Sequence, residues 1–379
     1  MDLFFSSLYI HVPFCVKKCK YCNFYSMPIK PELENLYIQS LFKEMELTKE
    51  IPHLLKTIYI GGGTPSSLTI EALHSIFQKL RNTFNTEQNI EFSVEVNPAT
   101  IHEEKLKIFR EYDVNRLSIG VQSFNDRELL LLGRIHNSEE AIKTVNLIYN
   151  SGFNNISIDL IYGIPEQTVD SWYKSLKTAV MLKIKHISIY ELTLEKETLL
   201  AEEINSGRIY LPLENELILM YEKATEFLHS KGFIKYEISN FAKEGFECKH
   251  NIVYWRREPY LGLGPSAHSF IGKKRFHNPS NILLYSKSLS ENKLSFIDDG
   301  EINCLEDLKE YIFLGLRMKE GILVDNPCLI EVFKRFEEQN LVKVSGNRIT
   351  LTDRGMLVSN EIFAEVLLHI DNCPVCKQE

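Results

Sequence analysis

Six short runs rich in isoleucine, valine and tyrosine recur along the first half of the chain, and each has the composition of a β-strand. They are LYIHVPF (8–14), KTIYIGGG (56–63), EFSVEVNP (91–98), RLSIGVQS (116–123), NISIDLIYG (155–163) and HISIYELT (186–193). Segments such as 34–50 and 70–84 lie between them and place apolar residues at helical spacing. This alternation predicts an α/β fold, with a parallel sheet covered by helices as an open doubly wound sheet or as a complete or partial barrel.

Residues that could contribute to a binding site stand at or near the carboxyl end of every predicted strand. In chain order they are Cys15, the glycines of GGGTP (61–65), Glu95 with Asn97, Gln122, Asp159, and Tyr190 with Glu191. Ligands of parallel α/β folds bind at this edge, because strand ends and helix N-termini converge there. We therefore expect one site that draws on all six strands.

The pattern changes after residue 193. Residues 195–230 have helical spacing, and residues 236–270 are aromatic, irregular and glycine-bearing. From about residue 300, helical segments flank LVKVSGNRITLT (341–352), which predicts a hairpin around 345–347, and TDRG (352–355) is expected to open the last helix. This order predicts a C-terminal α+β domain similar to a winged helix.

Composition and charge exclude several classes of function. A chain of 379 residues is long enough for two or three domains, and its net charge of −8 gives no electrostatic support to nucleic-acid binding. Its apolar stretches are far shorter than the ~20 residues of a membrane-spanning helix. The N-terminus lacks the basic start and cleavage site of a secretory signal, so we expect a cytoplasmic protein with thiols or metal ligands rather than disulfides.

Three of the eight cysteines, Cys15, Cys19 and Cys22, follow the first predicted strand. This spacing can hold three irons of a cubane cluster and leaves one iron for an external ligand. Zinc is the alternative, with His11 as a further ligand, but structural zinc sites usually combine CxxC pairs, and no partner pair lies near. Cys304 and Cys328 have apolar neighbours and are expected to be small core residues.

The glycine-rich stretch Gly61-Gly62-Gly63-Thr64-Pro65 follows the second predicted strand. Glycines let the backbone approach a ligand closely, and exposed amides with the Thr64 hydroxyl would suit an amino acid head group or a phosphate. No Walker lysine follows, which argues against a nucleoside triphosphate.

These two motifs, in this order on successive strands, resemble the radical S-adenosylmethionine (SAM) superfamily. The resemblance covers about residues 8–240 and implies a partial (β/α)6 barrel that holds a [4Fe–4S] cluster on Cys15, Cys19 and Cys22. It also implies that the amino and carboxylate groups of SAM chelate the fourth iron of the cluster. The residues it assigns to SAM are Tyr9, Tyr21, Gly62, Gly63, Thr64, Glu95, Gln122, Arg134 and Asp159.

Within the superfamily, YIHVPFC, GGGTPS, VEVNP, GVQSF and DLIYGIP resemble the branch of the oxygen-independent coproporphyrinogen III dehydrogenases and the HemW heme chaperones. The dehydrogenases carry a fourth cysteine two positions after the third, where this chain has Phe24. They also have a long N-terminal segment, whereas 14 residues precede Cys15 here. Both departures favour the chaperones.

The segment His250-Asn-Ile-Val-Tyr254-Trp255 matches the HNxxYW motif of the chaperones. A neutral imidazole can ligate heme iron, and aromatic rings offer apolar faces to a porphyrin. The alternative is a hydrogen-bonded structural histidine with Trp255 as a core anchor. Cys248 and His268 are secondary ligand candidates. Cys373-Pro-Val-Cys376 is a heme-binding thiolate, a redox pair or, as we expect, a frayed tail with incidental cysteines.

The resemblance implies a radical SAM barrel over residues 1–235, an aromatic heme-binding or connecting segment over 236–299 and a helical, winged-helix-like domain over 300–379. The expected function is a heme chaperone that binds the cluster, SAM and heme and passes heme to respiratory hemoproteins, with peripheral contact at the inner face of the cytoplasmic membrane. The alternatives are a coproporphyrinogen III dehydrogenase and a radical enzyme that modifies heme. Whether the chain forms a homodimer is left open.

Overall fold

The computed structural model describes residues 4–373. The helices are α1 Pro31–Thr48, α2 Ile70–Thr83, α3 Glu103–Glu111, α4 Asp126–Leu131, α5 Ser138–Asn150, α6 Val169–Met181, α7 Leu199–Asn205, α8 Glu214–Ser230, α9 Lys249–Trp255, α10 Ile282–Ser290, α11 Cys304–Gly315, α12 Pro327–Glu338, α13 Asp353–Leu357 and α14 Ser359–Asn372. The strands are β1 Phe5–Val12, β2 Phe14–Cys15, β3 Met27–Pro28, β4 His53–Gly62, β5 Thr86–Val96, β6 Arg116–Gln122, β7 Asn155–Tyr162, β8 His186–Glu191, β9 Ile234–Lys235, β10 Asn240–Ala242, β11 Tyr260–Leu263, β12 His268–Ile271, β13 Lys274–His277, β14 Ile297–Glu301, β15 Ile322–Leu323, β16 Val342–Ser345 and β17 Arg348–Leu351.

All six predicted strands form, and they lie side by side in the order β1-β4-β5-β6-β7-β8 with every neighbouring pair parallel. Helices α1 to α6 connect them, as the helical spacing predicts. The sheet does not close on itself, because further strands occupy both of its edges. The prediction of a partial barrel is therefore confirmed.

Strand periodicity divides the side chains of this sheet into two faces. Along β1, β4 and β6 the apolar positions alternate with polar ones, so that Ile10, Ile60 and Ile119 pack in the buried core. The opposite face carries Tyr59, Ser118 and their counterparts on the other strands. One face is thus covered by helices, and the other is left to build a site.

The segment from residue 234 onward extends the sheet at both edges. At one edge β11 pairs in parallel with β1, and β12, β13 and β14 follow in antiparallel order. At the other edge β10 pairs antiparallel with β8, and β9 pairs with β10. The result is a 12-stranded mixed sheet. The sequence pattern did not reveal these short strands, and the domain boundaries at 235 and 299 stay predictions.

The C-terminal part contains the predicted hairpin as β16 and β17, and β15 adds a third strand that the pattern did not predict. Thr352 caps α13 by accepting a hydrogen bond from the Gly355 amide at 2.9 Å, as expected for TDRG. The predicted last helix is divided at Val358 into α13 and α14. The expectation for Cys304 is wrong, because this residue is exposed at the start of α11.

Within residues 4–373, no helix is both long enough and apolar enough to cross a membrane.

Candidate functional site

A cavity of about 440 Å³ opens at the carboxyl ends of the parallel strands, and the three clustered cysteines lie in its wall. Cys15 ends β2, and Cys19 and Cys22 follow in the next loop. All three thiols are half-buried, and burial raises the pKa of Cys15 and Cys22. The structure thus places all three cysteines in the wall of one cavity, and their role as cluster ligands stays a prediction.

Two side chains from other elements reach these thiols. The Thr64 hydroxyl lies 3.4 Å from Cys15 Sγ, and Arg134 Nη1 lies 3.2 Å from Cys19 Sγ. A guanidinium and a hydroxyl are hydrogen-bond donors, and both stabilise a thiolate over a thiol. The Thr64 hydrogen bond therefore opposes the effect of burial on the pKa of Cys15, and burial is the larger of the two effects.

Lys20 fixes the loop between Cys19 and Cys22. Its amide donates to the Leu132 carbonyl at 3.0 Å, its carbonyl accepts from the Leu200 amide at 3.0 Å, and its ammonium pairs with Glu203 at 2.7 Å. Gly133 has a φ of +73°, and a Cβ there would lie 2.9 Å from Lys20 Cγ. The conformation of the loop is therefore fixed by contacts with α7 and with the backbone that follows α4, and these contacts lie far from the loop in the sequence.

The glycines of GGGTP serve close packing against β1 and β2. A Cβ on Gly62 would lie 2.6 Å from the His11 ring, and a Cβ on Gly63 would lie 2.6 Å from the Phe14 carbonyl oxygen. The Gly63 amide donates to the Val12 carbonyl and the Thr64 amide to the Phe14 carbonyl, at 2.8 and 2.7 Å. The expectation of exposed amides is wrong for these two positions, because the backbone of the neighbouring strands already occupies them.

Glu95 projects from β5 into the cavity and is held at both oxygens. Tyr59 donates its hydroxyl to Oε1 at 2.8 Å, and the Gly62 amide donates to Oε2 at 3.2 Å. Burial, together with the nearby carboxyl group of Asp159, raises the pKa of Glu95 to about 7. This carboxyl group can therefore accept or donate a hydrogen bond near neutral pH.

Asp159 on β7 is the second carboxyl group in the wall. Burial raises its pKa, while hydrogen bonds from Ser188 and Ser118 and the charge of Arg116 oppose the rise. Arg116 is 2 % exposed, and its Nε is buried without a hydrogen-bond partner. Two carboxyl groups therefore share this wall with a buried guanidinium that retains hydrogen-bonding capacity.

Arg134 crosses from the loop after α4 to the end of β6. Its Nη2 donates to the Gly120 carbonyl at 2.5 Å, and its Nε, like that of Arg116, is buried without a partner. Tyr21 lines the same part of the cavity, and burial raises its pKa. Gln122, at the end of β6, has a φ of +72°, a strained conformation that often marks functional sites.

The three cysteines assigned to the cluster line this cavity, together with most residues assigned to SAM, namely Tyr21, Gly62, Gly63, Thr64, Glu95, Gln122, Arg134 and Asp159. Tyr9 is not among the lining residues, and its hydroxyl instead lies 3.1 Å from His11 Nδ1. His11 Nε2 lies 2.8 Å from the Tyr25 carbonyl, so both of its nitrogens are engaged. That arrangement gives no support to zinc binding through His11.

The lining also includes residues that sequence reasoning did not single out: Tyr59, Arg116, Ser118, Ser188 and Asn251. Tyr59, Arg116, Ser118 and Ser188 each lie close to a predicted site residue. Each is either an even number of positions away on the same strand or paired with such a residue on the neighbouring strand. Ser118, for example, pairs in register with Glu95, and Asp159 pairs with Ser188. The period-2 pattern could have identified these residues, because alternate positions of a strand share a face.

The HNxxYW segment lies in α9. Of its residues, Asn251 lines the cavity that contains the three cysteines, and the others do not. His250 is 0 % exposed, and its Nδ1 lies 2.7 Å from the Thr57 hydroxyl and its Nε2 2.8 Å from the Tyr254 hydroxyl. Burial lowers the pKa of His250 to about 3, so the ring is neutral. Glu91 accepts from the amides of Lys249 and His250, each at 3.0 Å, and thereby caps the helix.

A second cavity of about 260 Å³ lies beside the end of α9. Tyr254 lines it together with aromatic side chains and the ion-paired Arg257 and Arg275. Trp255 does not line it, and the guanidinium of Arg317 lies 4.4 Å from the Trp255 ring centroid. The three residues predicted to contact heme therefore lie in different surroundings. His250 is buried, Tyr254 lines the second cavity, and Trp255 forms a cation–π pair with Arg317.

Comparisons with known proteins show which families the chain is similar to. Residues 9–179 match the model of the Radical SAM superfamily. The chain is 36% identical to the heme chaperone HemW of Bacillus subtilis, over 95% of this chain and 99% of that protein. It is 35% identical to the heme chaperone HemW of Lactococcus lactis, over 96% and 97%. Among solved structures it resembles the coproporphyrinogen III oxidase HemN of Escherichia coli, with a TM-score of 0.83, 23% identity and coverage of 96% of this chain and 90% of that one. At that identity, the likeness to HemN concerns the fold alone.

Proposed function

This chain belongs to the HemW heme chaperone family of the radical SAM superfamily, and from this premise we propose that it binds a [4Fe–4S] cluster, SAM and heme and transfers heme to acceptor proteins. The observation that carries the proposal is the meeting of three thiols, the Arg134 guanidinium and two carboxyl groups in one cavity. Its volume of about 440 Å³ suits a small-molecule cofactor.

The residues present fit the cluster and its cofactor. Cys15, Cys19 and Cys22 would hold three irons, because no fourth cysteine lines the cavity within the described residues. The unpartnered Nε of Arg134 can donate to the carboxylate of SAM, and Glu95 and Asp159 can accept from its amino or hydroxyl groups. When bound, the cluster and SAM would supply redox chemistry at the sulfonium, while the chain's own residues orient them and exclude water.

Phe24 supports a carrier rather than a porphyrinogen-oxidising enzyme. It occupies the position that holds a fourth cysteine in the dehydrogenases that this branch resembles, and 64% of it is exposed at the mouth of the cavity. An exposed aromatic ring beside a cofactor cavity offers an apolar face to a flat ligand. We therefore propose that porphyrin or a partner contacts this side of the cysteine loop.

Heme contact through α9 is a further part of the proposal. Tyr254 faces the second cavity, and its hydroxyl engages His250 Nε2. Axial ligation by His250 would require Tyr254 to release that nitrogen. We propose heme-dependent respiratory proteins as acceptors, a cytoplasmic location and contact with the inner face of the cytoplasmic membrane, in line with the family resemblance.

The test is anaerobic reconstitution of the full chain, followed by iron and sulfide analysis, SAM calorimetry and hemin titration. We expect iron, sulfide, SAM and hemin to bind, and hemin to move to an apo-hemoprotein. The loaded protein is then incubated with SAM, a reductant and coproporphyrinogen III, and no decarboxylation is expected. Formation of protoporphyrinogen would overturn the chaperone function and assign the dehydrogenase activity.

A further inference from the structure

Three potential metal ligands meet in the C-terminal domain, where α12 begins and α14 ends. Cys328 Sγ lies 3.0 Å from His369 Nε2 and 2.7 Å from Cys373 Sγ. All three ligand atoms lie within 4.8 Å of one another. These residues take no part in the cavity that holds the N-terminal cysteines. The expectation that Cys373 belongs to a frayed tail is wrong, because this residue is 5% exposed and packs in the core.

Helix geometry places two of the ligands together. His369 and Cys373 are four positions apart, and the Cys373 amide donates to the His369 carbonyl at 2.9 Å. Residues at this spacing lie above one another on one helix face. The turn is not free to move, because Val366 and Ile370 beside it are fully buried.

The third ligand comes from a neighbouring helix. Cys328 lies in the first turn of α12, and its amide donates to the side chain of Asn326 at 2.9 Å. Leu329 and Val332 of the same helix are each 1% exposed. Core packing of α12 against α14 therefore brings residues 328 and 373 together from 45 positions apart in the chain.

Two sulfur ligands and one imidazole suit Zn²⁺ better than a hard cation. Zinc binds sulfur at about 2.3 Å and nitrogen at about 2.0 Å, so tetrahedral ligands stand about 3.3–3.8 Å apart. The ligand atoms would have to separate by up to about 1 Å, which small side-chain rotations can provide. Apart from the N-terminal cysteines, a further group of potential ligands within residues 4–373 is formed by His268, His277 and Asp299, and it contains no sulfur and lies at the surface.

We propose that Cys328, His369 and Cys373 bind one Zn²⁺ that joins the start of α12 to the end of α14. Binding displaces the two thiol protons, so zinc affinity rises with pH. A closed structural site has a fourth ligand. Cys376, the second cysteine of the terminal pair, lies outside the described residues and takes no part in the proposal, which rests on Cys328, His369 and Cys373.

The experiment measures zinc and iron together in the full chain, purified under reducing conditions and supplied with Zn²⁺. We expect one zinc per chain in the wild type and in Cys19→Ala, which removes an N-terminal cluster ligand. Zinc should be lost in Cys328→Ser, Cys373→Ser and His369→Ala. Cys304→Ser is the matched control, because it alters an exposed cysteine of the same domain and should retain the zinc.

Two measurements separate metal loss from misfolding. Co²⁺ in place of zinc should give the visible bands of tetrahedral coordination and sulfur-to-metal charge transfer, and the charge-transfer band should weaken in Cys328→Ser. A chelator added to the wild type should lower the melting temperature of the C-terminal domain, and Zn²⁺ but not Mg²⁺ should restore it.

Three results would overturn the proposal. The first is a wild-type chain that holds no zinc after incubation with Zn²⁺ in reductant. The second is an unchanged zinc content in all three ligand variants. The third is a Cys328–Cys373 disulfide found by peptide mapping of the protein purified in reductant, which would make the pair a redox element instead.

Discussion

The imidazole of His250 stacks on the ring of Tyr59, with the centroids 5.1 Å apart and the planes inclined by 24°. The Tyr59 hydroxyl donates to Glu95 in the wall of the cysteine cavity at 2.8 Å. One side chain therefore connects α9, the segment with the chaperone motif, to the proposed SAM site. A displacement of His250 on α9 can therefore alter the position of Glu95 through Tyr59, and a displacement of Glu95 can alter the position of His250.

Tyr59→Phe removes the hydrogen bond to Glu95 and should have two measurable effects. The free energy of unfolding should fall by about 1 kcal/mol, the usual cost of a lost hydrogen bond, as measured by urea denaturation. The pKa of Glu95 should rise further above about 7, because this bond now opposes the effect of burial. The pH dependence of SAM binding should then shift upward.

Tyr9→Phe is the matched control for Tyr59→Phe. It removes a hydroxyl that contacts His11 and does not line the cavity. SAM affinity and its pH dependence should stay as in the wild type. An equal loss of SAM affinity in Tyr59→Phe and Tyr9→Phe would contradict the role given to Tyr59 and support the sequence-based assignment of Tyr9 to SAM.

Arg134→Lys should weaken SAM binding about ten- to a hundredfold, because a lost charge-assisted hydrogen bond costs about 1.5–3 kcal/mol. A lysine cannot keep contacts with Cys19 Sγ and the Gly120 carbonyl while also donating to a ligand. Calorimetry on the reconstituted variant measures the change. Arg127→Lys, at an exposed pair with Glu166 outside the cavity, is the control and should bind SAM as the wild type does.

Cys19→Ala should abolish cluster assembly, since two thiolates cannot replace three in this loop. The sulfide-to-iron absorbance and the iron content after anaerobic reconstitution measure the loss. Cys304→Ala, which removes an exposed thiol far from the motif in sequence, should reconstitute normally. Full iron content in Cys19→Ala would refute the assignment of the motif.

The barrel and most of its cavity could be predicted because both follow from local patterns. Runs rich in isoleucine, valine and tyrosine identified the six strands, and the polar residues at their carboxyl ends converge because neighbouring strands of the sheet are parallel. The strands of 236–299 were missed for the opposite reason. Strands such as β10 and β12 contain only three or four residues, too few to show a period, and they form by pairing with the edges of an existing sheet.

Contacts between residues far apart in the chain also could not be predicted from the sequence. Whether His250 faces a ligand or the core depends on Thr57, which lies 193 positions earlier on β4. The contact of Cys328 with Cys373 depends on how α12 packs against α14. Composition shows which residues can bind a metal, but only tertiary packing shows which of them meet.

His250 should make folding stability depend on pH in a defined direction. Its pKa is about 3 in the folded chain and 6.5 ordinarily, so below 6.5 the unfolded chain binds the additional proton. Stability should therefore be lost as the pH falls from about 6.5 toward 3, by at most about 1.4 kcal/mol per pH unit from this group. His250→Gln should make the urea midpoint less dependent on pH between these limits, whereas His229→Gln at an exposed position should not.

Hemin binding distinguishes the two roles left open for His250. If the ring ligates iron, Tyr254 must first release Nε2, so Tyr254→Phe should strengthen hemin binding by removing the competing hydroxyl. His250→Ala should then weaken binding and shift the Soret band, as measured by anaerobic titration of the reconstituted chain. If His250 is only structural, both variants should leave the Soret maximum unchanged, and His250→Ala should lose stability alone. The heme iron would then have to find its ligand elsewhere, and exposed His268 on β12 is the next residue to substitute.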